Sequence, residues 1–184
     1  MRLRTKVTIG ASGLAALGLL AAMVVASPGA SAETAAAPAA AAVPEAIAVP
    51  PGNVLSSAFA ALGTQNYKCT SGAWALVEPA ASLAGLSRNP VGAQAAIHYR
   101  GPTWQSALDG SAIEGTKIAE SPVAGSIPEL LLQAKNPRGN GVFTRVTFIH
   151  RLRTTGGVAP AGTCTEGQER AVRYTAEYRF YVAG

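Results

Sequence analysis

From Val172 to Val182 the chain alternates without interruption. Val172, Tyr174, Ala176, Tyr178, Phe180 and Val182 fall on one side; Arg173, Thr175, Glu177, Arg179 and Tyr181 fall on the other. A period of two belongs to an extended strand, whose successive side chains point to opposite faces; a helix repeats every 3.6 residues. A second run behaves the same way. Val142, Thr144, Val146, Phe148, His150 and Leu152 share one face, and Phe143, Arg145, Thr147, Ile149 and Arg151 share the other. One face packing and one meeting water is the pattern of antiparallel sheets.

Turn residues punctuate these runs. Asn140-Gly141 precedes the Val142 run, and Asp109-Gly110 separates Thr103–Ala107 from Ser111–Ala119. Asn, Asp and Gly accept the positive φ that hairpin turns demand. Further strands are predicted at Leu55–Leu62, Gln65–Thr70, Ala73–Val77, Ala80–Leu83, Gln94–Tyr99 and Ile127–Lys135. No window reads as an amphipathic helix. The expectation is an all-β domain, an antiparallel β-sandwich with a closed β-barrel as the alternative.

The beginning of the chain points to export. Arg2, Arg4 and Lys6 precede an apolar run from Val7 to Ala26, and Ala30-Ser31-Ala32 supplies the small residues of a cleavage site. This predicts a Sec-type signal peptide over residues 1–32 and a secreted or envelope-associated protein with no membrane span after cleavage. Residues 33–48 are rich in alanine, but Pro38 and Pro44 interrupt any helix, so they read as a disordered tether. Residues 49–184 remain as a single domain. The full chain has 15 Lys+Arg against 10 Asp+Glu. Three of the basic residues leave with the signal segment, so the net charge falls to about +2. No basic field for nucleic acid survives.

Cys69 and Cys164 are the two cysteines, both in the exported part. In an oxidising compartment such a pair is expected to be bonded. With no C-x-x-C spacing and two histidines, neither a metal nor any other cofactor is implied.

The densest chemistry runs from His98 to Ile113, H-Y-R-G-P-T-W-Q-S-A-L-D-G-S-A-I. This block, with V-P-P-G-N from Val49, G-T-Q-N-Y-K-C from Gly63, I-P-E-L-L-L from Ile127, T-F-I-H-R-L-R-T-T-G-G-V-A-P from Thr147 and Y-T-A-E-Y-R-F-Y from Tyr174, resembles a secreted bacterial and fungal family known only as a domain of unknown function. The resemblance implies a secreted, disulfide-bearing, mostly β domain and supplies no activity. Some members carry a malate dehydrogenase label, but this chain has no glycine-rich dinucleotide loop and no βαβ alternation. Two positions depart from the family pattern: His150 stands where Gln is usual, and Glu129 where Trp is usual. By its alternation His150 faces the core as a hydrogen-bonded structural histidine.

Two functional readings follow. In the first, a noncatalytic binding module holds a cell-wall glycan, an anionic surface polymer or a peptide in a cleft of Trp104, Tyr99 and His98. Gln65, Asn66 and Tyr67 lie nearby, aromatic faces giving area and amides fixing orientation. In the second, a small hydrolase uses His98 as general base, oriented by Asp109. Arg145, Arg151, Arg153, Arg173 and Arg179 are placed on outward faces. There they form a basic stripe or, with Glu177 among them, an ordinary self-paired surface.

Overall fold

A computed structural model describes residues 42–184; the predicted signal peptide and residues 33–41 lie outside them. Eight strands follow a short 3-10 turn at Glu45–Ile47: β1 (Asn53–Thr70), β2 (Ala73–Arg88), β3 (Val91–Tyr99), β4 (Thr103–Ser106), β5 (Ala112–Ser121), β6 (Glu129–Arg138), β7 (Val146–Gly156) and β8 (Glu169–Ala183). The body is all-β and antiparallel, with no α-helix among the described residues. Each strand pairs with its chain neighbour, and β8 returns to pair with β1 from Asn53↔Ala183 to Lys68↔Glu169. The pairing therefore closes on itself: one eight-stranded antiparallel sheet forms a closed β-barrel, the second of the two all-β arrangements expected.

Long strands carry the closure. β1 is 18 residues and β2 is 16, enough to bend across the barrel. Gly63 and Gly85 permit the bend. A Cβ at Gly63 would run into the Ala80 carbonyl, and one at Gly85 into that of Ala58. The interior is filled by Phe59, Leu83, Trp104, Ile113, Leu132, Phe143, Ile149, Tyr174, Tyr178 and Phe180. Phe180 lies 4.7 Å from Phe143 and packs edge-on to Phe59. The β8 alternation holds, with Tyr174, Ala176, Tyr178 and Phe180 inside.

In β7 the two faces are exchanged. Ile149 belongs to the interior, while Leu152 and Phe148 belong to a second cluster with Ile47 and Leu131. The register shifts between Val146 and Phe148, and that irregularity moves the inward set by one residue. The outer face of β7 is apolar because the chain before β1 covers it. Ile47 is fully buried there, flanked by Val43 and Val49, and its carbonyl accepts the His150 Nε2–H at 2.6 Å. The expected tether thus ends earlier than residue 48, and His150 packs outside the barrel under this strap.

Cys69 and Cys164 are bonded, with Cα atoms 5.8 Å apart. The bridge ties the end of β1 to the loop before β8. The Gln168 carbonyl accepts from Cys69 N–H at 2.7 Å, fastening the same loop.

Candidate functional site

At the barrel end that carries the disulfide, a cavity of about 510 Å³ opens between the end of β1, the start of β2, the β3–β4 turn, β5, β6 and β7. Alternation along β1 sends Gln65 and Tyr67 inward to its wall and Asn66 outward, where it accepts from the Thr64 hydroxyl at 2.9 Å. Alternation along β3 sends His98 inward and Tyr99 outward, the Tyr99 hydroxyl donating to Gln105 Oε1 at 3.2 Å. Of the predicted ligand-binding residues, Gln65 and Tyr67 thus meet His98 at one cavity. Asn66 and Tyr99 face away from it.

Trp104 lies behind His98 and is 1% exposed. It belongs to the core and offers no open aromatic platform. It borders a small inner chamber of about 40 Å³, shared with His98, Pro102, Leu130, Leu132, Arg151 and Tyr178. Its indole N–H, buried, has no partner.

His98 is held on three sides. It stacks on Trp104, meets Tyr178 edge-on at 5.2 Å, and its Nδ1–H donates to the Thr103 carbonyl at 2.9 Å. A carbonyl accepts only, so the proton sits on Nδ1 and Nε2 keeps its lone pair. Burial pushes the imidazole pKa down to about 4, against the Thr103 bond, which favours the charged form; the Arg151 charge lowers it further.

Asp109 is not the partner of this ring. Its Oδ1 accepts from Ser111 N–H at 2.9 Å and Ser111 Oγ–H at 2.6 Å, and its Oδ2 from Val142 N–H at 2.9 Å. These hydrogen bonds outweigh desolvation and hold the carboxyl below its usual range. The predicted His98–Asp109 pair is therefore absent: both carboxylate oxygens are committed to fastening the β4–β5 turn to the loop before β7.

The residue that sequence reasoning placed outward, Arg151, lines both the cavity and the inner chamber. Its Nε–H and Nη2–H both donate to the Pro128 carbonyl, at 3.1 and 2.9 Å. No carboxylate pairs with it among the described residues. The neighbouring charges do pair: Arg100 with Glu78 at 3.2 Å and Lys117 with Glu120 at 2.6 Å, all four on the cavity wall. On the outer wall Arg153 and Arg179 share Glu177, so that part of the expected stripe is half neutralised. The alternation already set Arg151 on the face of Ile149; only the choice of which face was inside was missing.

Gln65 is 2% exposed, and its Nε2 has no partner. Tyr67 donates its hydroxyl to the Gly157 carbonyl at 2.6 Å. Gly157 has φ +76°, and a Cβ there would press on Tyr174, Ile127 and Gln65, so this loop closes the barrel floor only as glycine. Among the described residues no group of three or more His, Cys, Asp or Glu could hold a metal ion.

The cavity lies wholly within a recognised stretch of sequence: a family model covers residues 50–182. The chain belongs to the DUF3455 family. That family is described as a protein of unknown function. No curated protein and no solved structure matches the chain. The closed antiparallel barrel of this DUF3455 domain contains no βαβ unit in its described residues, so a nicotinamide-dependent dehydrogenase label gains no support from the fold.

Proposed function

We propose that the protein is a noncatalytic binding module of the exported or envelope-associated space that takes a small organic ligand into the disulfide-end cavity of its barrel. The observation that carries this reading is Gln65, a buried side-chain amide with an unpartnered N–H₂ on the wall of an open cavity. An unmade hydrogen bond of this kind costs about 1–3 kcal/mol, a cost that a ligand accepting from it removes. The walls fit the same purpose: Leu76, Val77, Pro79, Ile127, Leu130 and Leu132 give apolar area between the polar and charged groups that line the rest. Barrel mouths are a recurrent place for such sites.

His98 supports binding over turnover. With its pKa at about 4, its ring stacked and no carboxylate oriented on it, it makes a poor base near neutral pH. Export rests on the charged and apolar organisation of residues 1–32, and the disulfide fits an oxidising compartment.

The test is a thermal-shift screen of the purified protein with small organic acids, alcohols, short envelope peptides and glycan fragments, repeated on Val77→Trp, which fills the mouth. A ligand that raises Tm for the native protein and not for the variant is the expected result. A ligand that stabilises both equally binds elsewhere and overturns the reading.

A further inference from the structure

We infer that the ligand of this cavity is a small carboxylate with an apolar body, its carboxylate received by Arg151. The inference rests on the binding reading above and adds the chemical class.

Charge selects the anion. Four of the five ionic groups on the cavity wall cancel in pairs, Arg100 with Glu78 and Lys117 with Glu120. Arg151 is the remainder, half-buried, bonded to the Pro128 carbonyl and with the neutral Tyr178 phenol beside it in the inner chamber. A guanidinium taken out of water calls for a counter-charge, and a neutral carbonyl is not one.

Geometry selects a planar monoanion. The Nε–Nη2 edge of Arg151 is spent on Pro128, which fixes the plane of the group. The other edge, between Nη1 and Nη2, carries two parallel N–H bonds at the spacing of a carboxylate's oxygens. Gln65 shares the wider cavity with Arg151 and Trp104 the inner chamber, and each carries a buried donor lacking an acceptor, the amide Nε2 and the indole N–H. A phosphate dianion would need a second cation, and the remaining ones are already paired with Glu78 and Glu120, whose own charges repel it.

Shape selects the rest of the molecule. Arg151 sits where the small inner chamber meets the wider cavity, so a carboxylate bound there leads its body outward past Leu130, Ile127, Pro79 and Val77. These side chains offer no hydrogen bonds, and a tail of CH₂ groups or an aromatic ring gains by covering them.

The experiment compares decanoate, decanol and decyl phosphate, each below its micelle concentration, by calorimetry on the purified protein and on Arg151→Gln and Arg151→Lys. The native protein is expected to bind decanoate at least tenfold more tightly than decanol or decyl phosphate. Arg151→Gln should lose that preference, and Arg151→Lys, which keeps charge without the fork, should keep only part of it. Should decanol bind as tightly as decanoate, the carboxylate class is wrong while the binding cavity stands. Tighter binding of decyl phosphate likewise overturns the class alone, and so does binding of none of the three, since the binding reading is decided by the thermal-shift screen. The native-protein comparison decides the matter even if the Arg151 variants do not fold.

Discussion

The imidazole of His98 lies flat on the indole of Trp104, the ring centroids 4.3 Å apart and the planes within 6°. The two residues are cross-strand partners on β3 and β4, so strand pairing itself places one ring over the other. Trp104 also meets Tyr178 and Phe180 edge-on, at 5.3 and 6.0 Å. Trp104→Ala should therefore cost about 3–5 kcal/mol, as large aromatic truncations in cores do. Chemical denaturation measures it; a cost below about 1 kcal/mol would mean that the ring does not pack as described.

The buried His98 makes stability depend on pH. The unfolded chain takes up a proton near 6.5, the folded ring only near about 4. The contribution of the neutral ring is thus complete above pH 6.5, is lost as pH falls through the window from 6.5 to 4, and changes no further below it. Its full size is about 3 kcal/mol, to order of magnitude. Unfolding free energies at pH 7 and pH 4.5 should converge between the native protein and His98→Gln, because the variant lacks this titration. Parallel pH profiles for the two proteins would show that His98 is not held neutral.

The bridge between Cys69 and Cys164 spans 95 positions. Cross-linking a loop of that size restrains the unfolded chain by about 4–5 kcal/mol in the chain-entropy account. Reduction, or Cys69→Ser with Cys164→Ser, should lower Tm by many degrees. The loop before β8 should become the first site of proteolysis. An unchanged Tm in reductant would show that the restraint is negligible.

Ile47 is fully buried against Leu131 and Leu152, outside the barrel. Ile47→Ala should cost about 2–4 kcal/mol, as a core truncation does, although the residue precedes the first strand. A chain starting at Pro50 should lose more, since it also uncovers Phe148 and removes the carbonyl that His150 bonds. Urea denaturation compares the three proteins; equal midpoints would return this segment to the role of a loose tether.

Asp109 holds Ser111 and Val142 with both oxygens. Asp109→Ala should destabilise by about 1–3 kcal/mol and leave ligand affinity in the cavity unchanged, because the broken bonds lie in the turn and not on the cavity wall. Calorimetry beside a melting curve separates the two effects. A large loss of affinity with normal Tm would assign Asp109 to the site instead.

Gln65, Tyr67 and His98 stood out in the sequence by their polar and aromatic chemistry, and alternation turns each of them toward one cavity. Asn66 and Tyr99 were drawn in by adjacency in sequence, and in a strand the immediate neighbour is the residue that points the other way. Arg151 was missed for a different reason. The β7 alternation separated Ile149 and Arg151 from Phe148, His150 and Leu152, but two apolar faces cannot be told apart until both coverings are known. One is covered by the barrel interior and the other by Ile47, about a hundred residues away.

What local chemistry dictates, the sequence determined alone: strands from a period of two, the β4–β5 turn from Asp109-Gly110, and the pairing of the two cysteines. Tertiary structure decided what depends on distant segments meeting. It closed β8 onto β1, laid the Val43–Val49 strap over β7, parted Asp109 from His98, and turned Arg151 into the cavity without an acid beside it. Periodicity specifies that a side chain lies on one face or the other; only packing against remote parts of the chain specifies which face is inside.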